Sequence, residues 1–157
     1  MYTKQKEKLM SLNQMFDEFN SLYRVKGTDI NKESAKGFVT LVCDEVVEFA
    51  EEFDKETLDK AAAAKEGLDA IYAGMQQLRT MGIDLEAGLK ALHSSNMSKT
   101  VKRADAEKEL EIARERYPEA YIDEAQAYCV IRDAATGKVI KPTTYTPAIV
   151  NEDIYNA

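Results

Sequence analysis

The sequence predicts an all-α fold: an antiparallel four-helix bundle core, followed by an extra helix and a small C-terminal β-hairpin. Three observations carry that prediction. Apolar residues in the first hundred positions recur at steps of three and four, the spacing of one helix face. Capping and stop residues divide them into four runs. The connections between runs are short, which favours antiparallel neighbours.

The first helix carries Leu9, Leu12, Phe16, Phe19 and Tyr23 on one face, and Gly27-Thr28-Asp29 breaks it. Asn31 is a suitable N-cap for a second helix reaching about Phe53, because its side chain can accept from the free amides of a first turn. A third helix is expected from near Thr57, through Ala61-Ala62-Ala63-Ala64, to Gly82, which can take the left-handed conformation that ends a helix. Asp84 caps a fourth, through Leu85, Leu89 and Leu92 to about Asn96. Residues 103–117, rich in Ala, Glu, Lys and Arg, form the extra helix, which Pro118 stops at Tyr117. Residues 128–132 and 138–141 read as two strands joined by a turn in which Gly137 supplies a positive φ. Beyond Pro142 there is no period, and an extended end is expected. One domain is predicted, with residues 1–102 as the helical core and 103–157 as the added helix, hairpin and tail.

Composition narrows the function. The chain has 157 residues, 45% of them hydrophobic and 31% charged, enough apolar material for a core. Its net charge of −7 argues against non-specific nucleic-acid binding, which needs Lys and Arg to replace phosphate counterions. Two cysteines, Cys43 and Cys129, without metal-type spacing exclude a disulfide framework and point to a reducing, cytoplasmic setting. There is no apolar run of about 18 residues to cross a bilayer, and the first residues lead into a helix without the apolar stretch of a signal peptide.

The chemistry concentrates on the second helix. Phe38, Leu41, Val42, Phe49 and Phe53 make one apolar stripe; Glu45 falls inside it, and Glu48 and Glu52 lie along its edge. Asp44 and Glu51 point away. A carboxylate on a core-facing stripe is costly unless something neutralises it. Glu45 and Glu48 are three apart, as are Glu66 and Asp69 on the next helix, where Ala62, Ala70 and Ala73 permit close approach. Each pair lies about ten residues from the intervening loop, so an antiparallel hairpin can bring the four carboxylates together in an all-oxygen site suited to Mg²⁺ or Mn²⁺. A solvated acidic face is the plainer alternative for such spacing. A di-iron bundle needs two E-x-x-H motifs, and the single histidine, His93, has no glutamate three residues before it. An EF-hand loop is absent. Ser95, Asn96, Ser98 and Lys99 gather hydroxyls, an amide and an ammonium suited to phosphate oxygens, or else a polar helix end. Phe16 is a candidate for stacking on a nucleobase, although aromatics at helical spacing more often serve a core.

Asp44-Glu45-Val46-Val47-Glu48 followed by Glu66-Gly67-Leu68-Asp69 resembles the E-E-x-x-E … E-x-x-D signature of the MazG-like all-α NTP pyrophosphohydrolases. Residues 92–99, Leu-His-Ser-Ser-Asn-Met-Ser-Lys, are similar to the H-x-S-N-M-S-K stretch of phage and bacterial members of the phosphoribosyl-ATP pyrophosphohydrolase-like group. Residues 137–142, Gly-Lys-Val-Ile-Lys-Pro, resemble that group's tail. The resemblance covers about residues 8–100, with the tail separate. Two features depart from it: Asp44 stands where the signature has Glu, and residues 103–127 are inserted, where they could cover a substrate site or alter assembly.

The resemblance implies Mg²⁺-dependent hydrolysis of a nucleoside triphosphate between its α- and β-phosphates, giving monophosphate and pyrophosphate. It assigns Glu45, Glu48, Glu66 and Asp69 to the metal; one carboxylate of the cluster, with Glu48 as the first candidate and Glu45 beside it, could act as general base, and Asn96 and Lys99, helped by Ser95 and Ser98, would steady the phosphates. It further implies a homodimer or homotetramer with sites near subunit interfaces. A phage nucleotide-pool enzyme, dGTP-directed as one option, fits that reading. No residue identifies the base. The alternative from a different class is a non-catalytic acidic helical interaction module.

Overall fold

The computed structural model describes residues 9–125 and 127–156. Among them are six helices and a four-stranded antiparallel sheet, so the chain is mostly helical but is not all-α. It divides into two compact units. One comprises residues up to Gly88 together with those from Val150; the other is Leu89–Ile149.

The first unit holds α1 (Leu12–Leu22), α2 (Lys32–Glu51), α3 (Lys60–Thr80), the start of α4 (Leu85–Met97) and the short α6 (Glu152–Tyr155). Side chains begin these helices. Ser11 and Gln14 form a reciprocal capping box at α1. The Asn31 amide oxygen accepts from Glu33 N and Ser34 N at 2.9 and 3.0 Å, while Ser34 Oγ accepts from Asn31 N. Asp59 accepts from the Ala61 and Ala62 amides, so α3 starts at Lys60 rather than near Thr57. Asp84 accepts from Ala87 N at 3.0 Å. Gly82, at φ 76°, ends α3 as expected.

Glycines on α3 bring α2 close. A Cβ at Gly67 would meet the Phe49 ring at 3.1 Å, and one at Gly74 would touch Val42 and Phe38. Residue 49 lies opposite 67 and 42 opposite 74, so the two helices run antiparallel. On another side of α3, Tyr72 receives the rings of Phe16 and Phe19, with centroids 4.7 and 5.7 Å away. Arg79 binds Asp17 through two parallel hydrogen bonds of 2.7 and 3.1 Å. The tail departs from the extended end that was expected: α6 buries Ile154 against Gly88, and Asp84 N donates to Ile154 O at 2.7 Å.

The second unit contains the rest of α4, β1 (Val101–Lys102), a 3₁₀ turn (Arg103–Asp105), α5 (Ala106–Arg114), β2 (Ala120–Ala125), β3 (Tyr128–Asp133) and β4 (Val139–Ile140). The expected hairpin is present as β3 and β4, with Gly137 at φ 68°. It belongs to a larger sheet in which β3 is central: β2 pairs along one edge, and β1 and β4 share the other. Residues 103–127, read from sequence as an insertion, supply Ala106, Leu110, Ala113 and Ala120 to a core completed by Val101, Cys129 and Ile131. They help to form the core of this unit. The boundary between the units falls inside α4, and within the second unit Ser95 and Ser98 bond to Tyr145 and Thr146.

Candidate metal centre

The α2/α3 contact sorts the side chains on either side of it. Glu48 directly precedes Phe49 and Glu66 directly precedes Gly67. Each is therefore turned by about 100° from the contact line in the same sequence sense. On antiparallel helices that sense leads to one side, and there the two carboxylates meet. Glu45, one turn before Glu48, joins them. Carboxylate oxygens of Glu45, Glu48 and Glu66 all lie within 4.8 Å of one another; Glu48 is exposed and the other two are half-buried.

Three like charges this close repel unless a cation or proton intervenes. Part of the counter-charge is internal. Lys65 Nζ reaches Glu66 Oε1 at 2.9 Å and Asp69 Oδ2 at 2.8 Å, and the hydrogen bonds it donates, to Asp69 first and Glu66 second, hold its ammonium above its ordinary range. Glu66 Oε2 is buried and has no hydrogen-bond partner. Such an oxygen costs about 1–3 kcal/mol, and more when charged.

The sequence-derived four-carboxylate set thus separates. Glu45, Glu48 and Glu66 converge, whereas Asp69 is held by Lys65 outside the group. Glu52, placed from sequence at the edge of the stripe and left out of the site, extends the row by one turn. It is buried, its Oε1 takes Lys55 Nζ at 2.5 Å, and its Oε2 is unpartnered. Lys55 is raised by that bond and also feels the charge of Glu66. Among the described residues, Glu52 and Glu66 hold the buried side-chain oxygens or nitrogens that lack a partner. The signal for Glu52 was in the sequence as its i+4 spacing from Glu48.

The remaining candidates are placed as follows. Phe16 is 1% exposed with its ring against Tyr72, a core position and not one open to a base. Ser95, Asn96, Ser98 and Lys99 lie in the second unit and bond locally. Ser95 donates to the Tyr145 oxygen, which holds that phenol below its usual range, helped by Lys141 and Lys99. Ser98 Oγ accepts from Thr146 N at 3.0 Å, and Lys99 Nζ donates to Asn96 Oδ1 at 2.8 Å. His93 is exposed on α4. No helix among the described residues is long and apolar enough to cross a membrane. Compared with family models and with curated proteins, the chain matches none.

Proposed function

We propose that the chain is a Mg²⁺-dependent nucleoside triphosphate pyrophosphohydrolase built on an all-α pyrophosphatase-type four-helix core. The observation that supports this most is the convergence of Glu45, Glu48 and Glu66, one of which, Glu66, also keeps a buried oxygen without a hydrogen-bond partner. An all-oxygen donor set with surplus negative charge fits a hard divalent cation, Mg²⁺ or Mn²⁺. Glu45, Glu48 and Glu66 would hold it, with Asp69 recruited if it leaves Lys65. When bound, such an ion neutralises phosphate charge and raises the acidity of coordinated water.

The protein's own contribution is positional. Glu45 and Glu66 are half-buried and fixed by the helix pair, which suits them to holding an ion in one place. Glu48 is exposed, and its carboxylate would take the proton of the attacking water as the bond between the α- and β-phosphates breaks. The products are monophosphate and pyrophosphate.

The test is pyrophosphate release from the four dNTPs, dUTP and the ribonucleotides, with Mg²⁺ and with EDTA. Metal-dependent release from one or a few of them is expected. One observation favours a second reading: Lys65 already pairs with Glu66 and Asp69, as in an ordinary solvated helix face. An acidic interaction module would release no pyrophosphate from any nucleotide and would tolerate Glu45→Gln.

A further inference from the structure

The second unit holds a cavity of about 610 Å³ between the end of α5 and the β3–β4 hairpin. It opens where the sheet outruns its cover. A helix is about 10 Å across and neighbouring strands are about 4.8 Å apart, so one helix covers two strands and leaves a third bare. Here α5 packs chiefly on β2 and β3. The short β4 extends the sheet beyond them, with Ile140 opposite Ile131 and Val139 opposite Arg132.

The cavity is apolar inside and positive around its edge. Ala113, Ile131 and Pro142 are buried in it, while Ile112, Val139 and Ile140 keep part of their surface open. Two buried carboxylates also line it, and both are already bonded within the unit. Glu109 accepts from the Thr143 amide at 2.8 Å and from the Thr143 hydroxyl. Asp133 accepts from the Thr136 hydroxyl at 2.6 Å. Arg116, Lys138 and Lys141 border the same cavity and are exposed. None of these three cations makes an ion pair among the described residues. Arg116 lies 5.6 Å from the centre of the Tyr117 ring, and Lys141 lies 4.5 Å from that of Tyr145. Ring contacts of this kind hold a cation in place without neutralising it.

We infer that this cavity binds a small organic anion with a hydrocarbon body, an alkyl or aryl carboxylate. Its volume falls within the roughly 300–1,000 Å³ of small-molecule sites, which combine apolar walls with a few charged groups that fix orientation. The charge of the ligand follows from the rim. A carboxylate set among Arg116, Lys138 and Lys141 would receive charge-assisted hydrogen bonds, and the two acids nearby already have their donors. The body follows from the interior. Glu109, Asp133, Thr136 and Thr143 are bonded to one another, so a sugar or a base would have to compete for them, whereas hydrocarbon needs no such partner. All of these residues belong to the second unit, and the inference does not depend on catalysis.

Titration of the ¹⁵N-labelled full chain with octanoate, followed by amide NMR shifts, tests it. 1-Octanol, with the same chain and no charge, and AMP, an anion with a polar body, are run beside it at fixed ionic strength. Octanoate is expected to give saturable shifts centred on Ile112, Ala113, Val139 and Ile140, with a dissociation constant below about 1 mM. Octanol and AMP should bind there at least about tenfold more weakly. Arg116→Gln combined with Lys138→Gln should weaken octanoate about tenfold and leave octanol unchanged, because it removes charge from exposed positions and no carbon from the walls. No saturable shift up to about 10 mM octanoate would overturn the inference. So would octanol or AMP binding as tightly as octanoate, a double variant that binds octanoate unchanged, or shifts centred instead on exposed apolar residues of α2 such as Val39 and Val46. If the double variant fails to fold, the wild-type comparison of octanoate with octanol still decides.

Discussion

In the second unit, α5 sets Ala106, Leu110 and Ala113 onto the sheet beside Cys129 and Ile131, and seven apolar side chains are enclosed by the unit's own chain. In the first unit, α2 runs for 20 residues without burying one. Both have enough apolar residues to form a core; what differs is how they are distributed. On α5 they occupy one narrow face, which the sheet covers. On α2 they extend around more than half the circumference, and α3 covers only the sector holding Phe38, Val42 and Phe49. To one side of that sector lie carboxylates in a place that packing alone would fill with carbon, and to the other lies carbon where solvent would favour charge. The second unit is shaped by its own stability. The first leaves both faces open, and by our reading the carboxylate face takes an ion.

The contrast can be broken in several ways. The largest effect is expected from Glu45→Gln, which should lower metal-dependent pyrophosphate release by about 100-fold or more while circular dichroism stays unchanged. Full activity in that variant would return the carboxylates to an ordinary acidic surface. Next, Ile131→Ala empties the best-packed position of the second unit and should cost about 2–5 kcal/mol in denaturant unfolding. A loss under about 1 kcal/mol would mean that this core is looser than its burial implies.

Asn31→Ala removes the cap that starts α2 and should cost about 1 kcal/mol, with a matching fall in the unfolding midpoint. Asp84 gives a smaller, pH-dependent effect. The Ala87 amide first, and then the Asn13 side chain, hold its carboxyl below the ordinary 3.8. A depressed carboxylate adds stability above its unfolded pKa and loses it as pH falls through the folded value. Asp84→Asn, which still caps, should therefore flatten the acid limb of a midpoint-against-pH series below about pH 4 and change little at neutrality. Smallest of all, Val39→Thr, at an exposed position of α2, should shift stability by under about 0.5 kcal/mol in denaturant unfolding. A loss above about 1 kcal/mol would break the contrast by showing that this side chain is packed.

Much of this was legible in the sequence where the determinant is local. Asn31, Gly82, Asp84 and Gly137 each do what their chemistry suggests, because caps and turns are settled within a few residues. The strand β2 escaped notice for the opposite reason. Asp123 and Glu124 are poor strand formers, and it is the ion pairs with Arg132 and Arg103 across the sheet that accommodate them. Two-residue β1 and four-residue α6 are too short for any period to show. At the site, the E-x-x-E spacing gave Glu45 and Glu48, and an antiparallel hairpin made Glu66 their natural partner. That Asp69 would be drawn aside by Lys65, four residues earlier, was readable as an i,i+4 pair. Phe16 could be read as core or ligand, and only the position of Tyr72 decides between them.

The closure of α4 by the tail has a consequence for synthesis. Ile154 O receives the amide of Asp84, and the Ile154 side chain lies against Gly88, yet the whole second unit is translated between those partners. Domains commonly fold in order of emergence. Here the later-coded unit has all its parts in hand before the earlier one does. Until residues 150–156 leave the ribosome, the first turn of α4 lacks that contact, so the unit begun first is the one finished last.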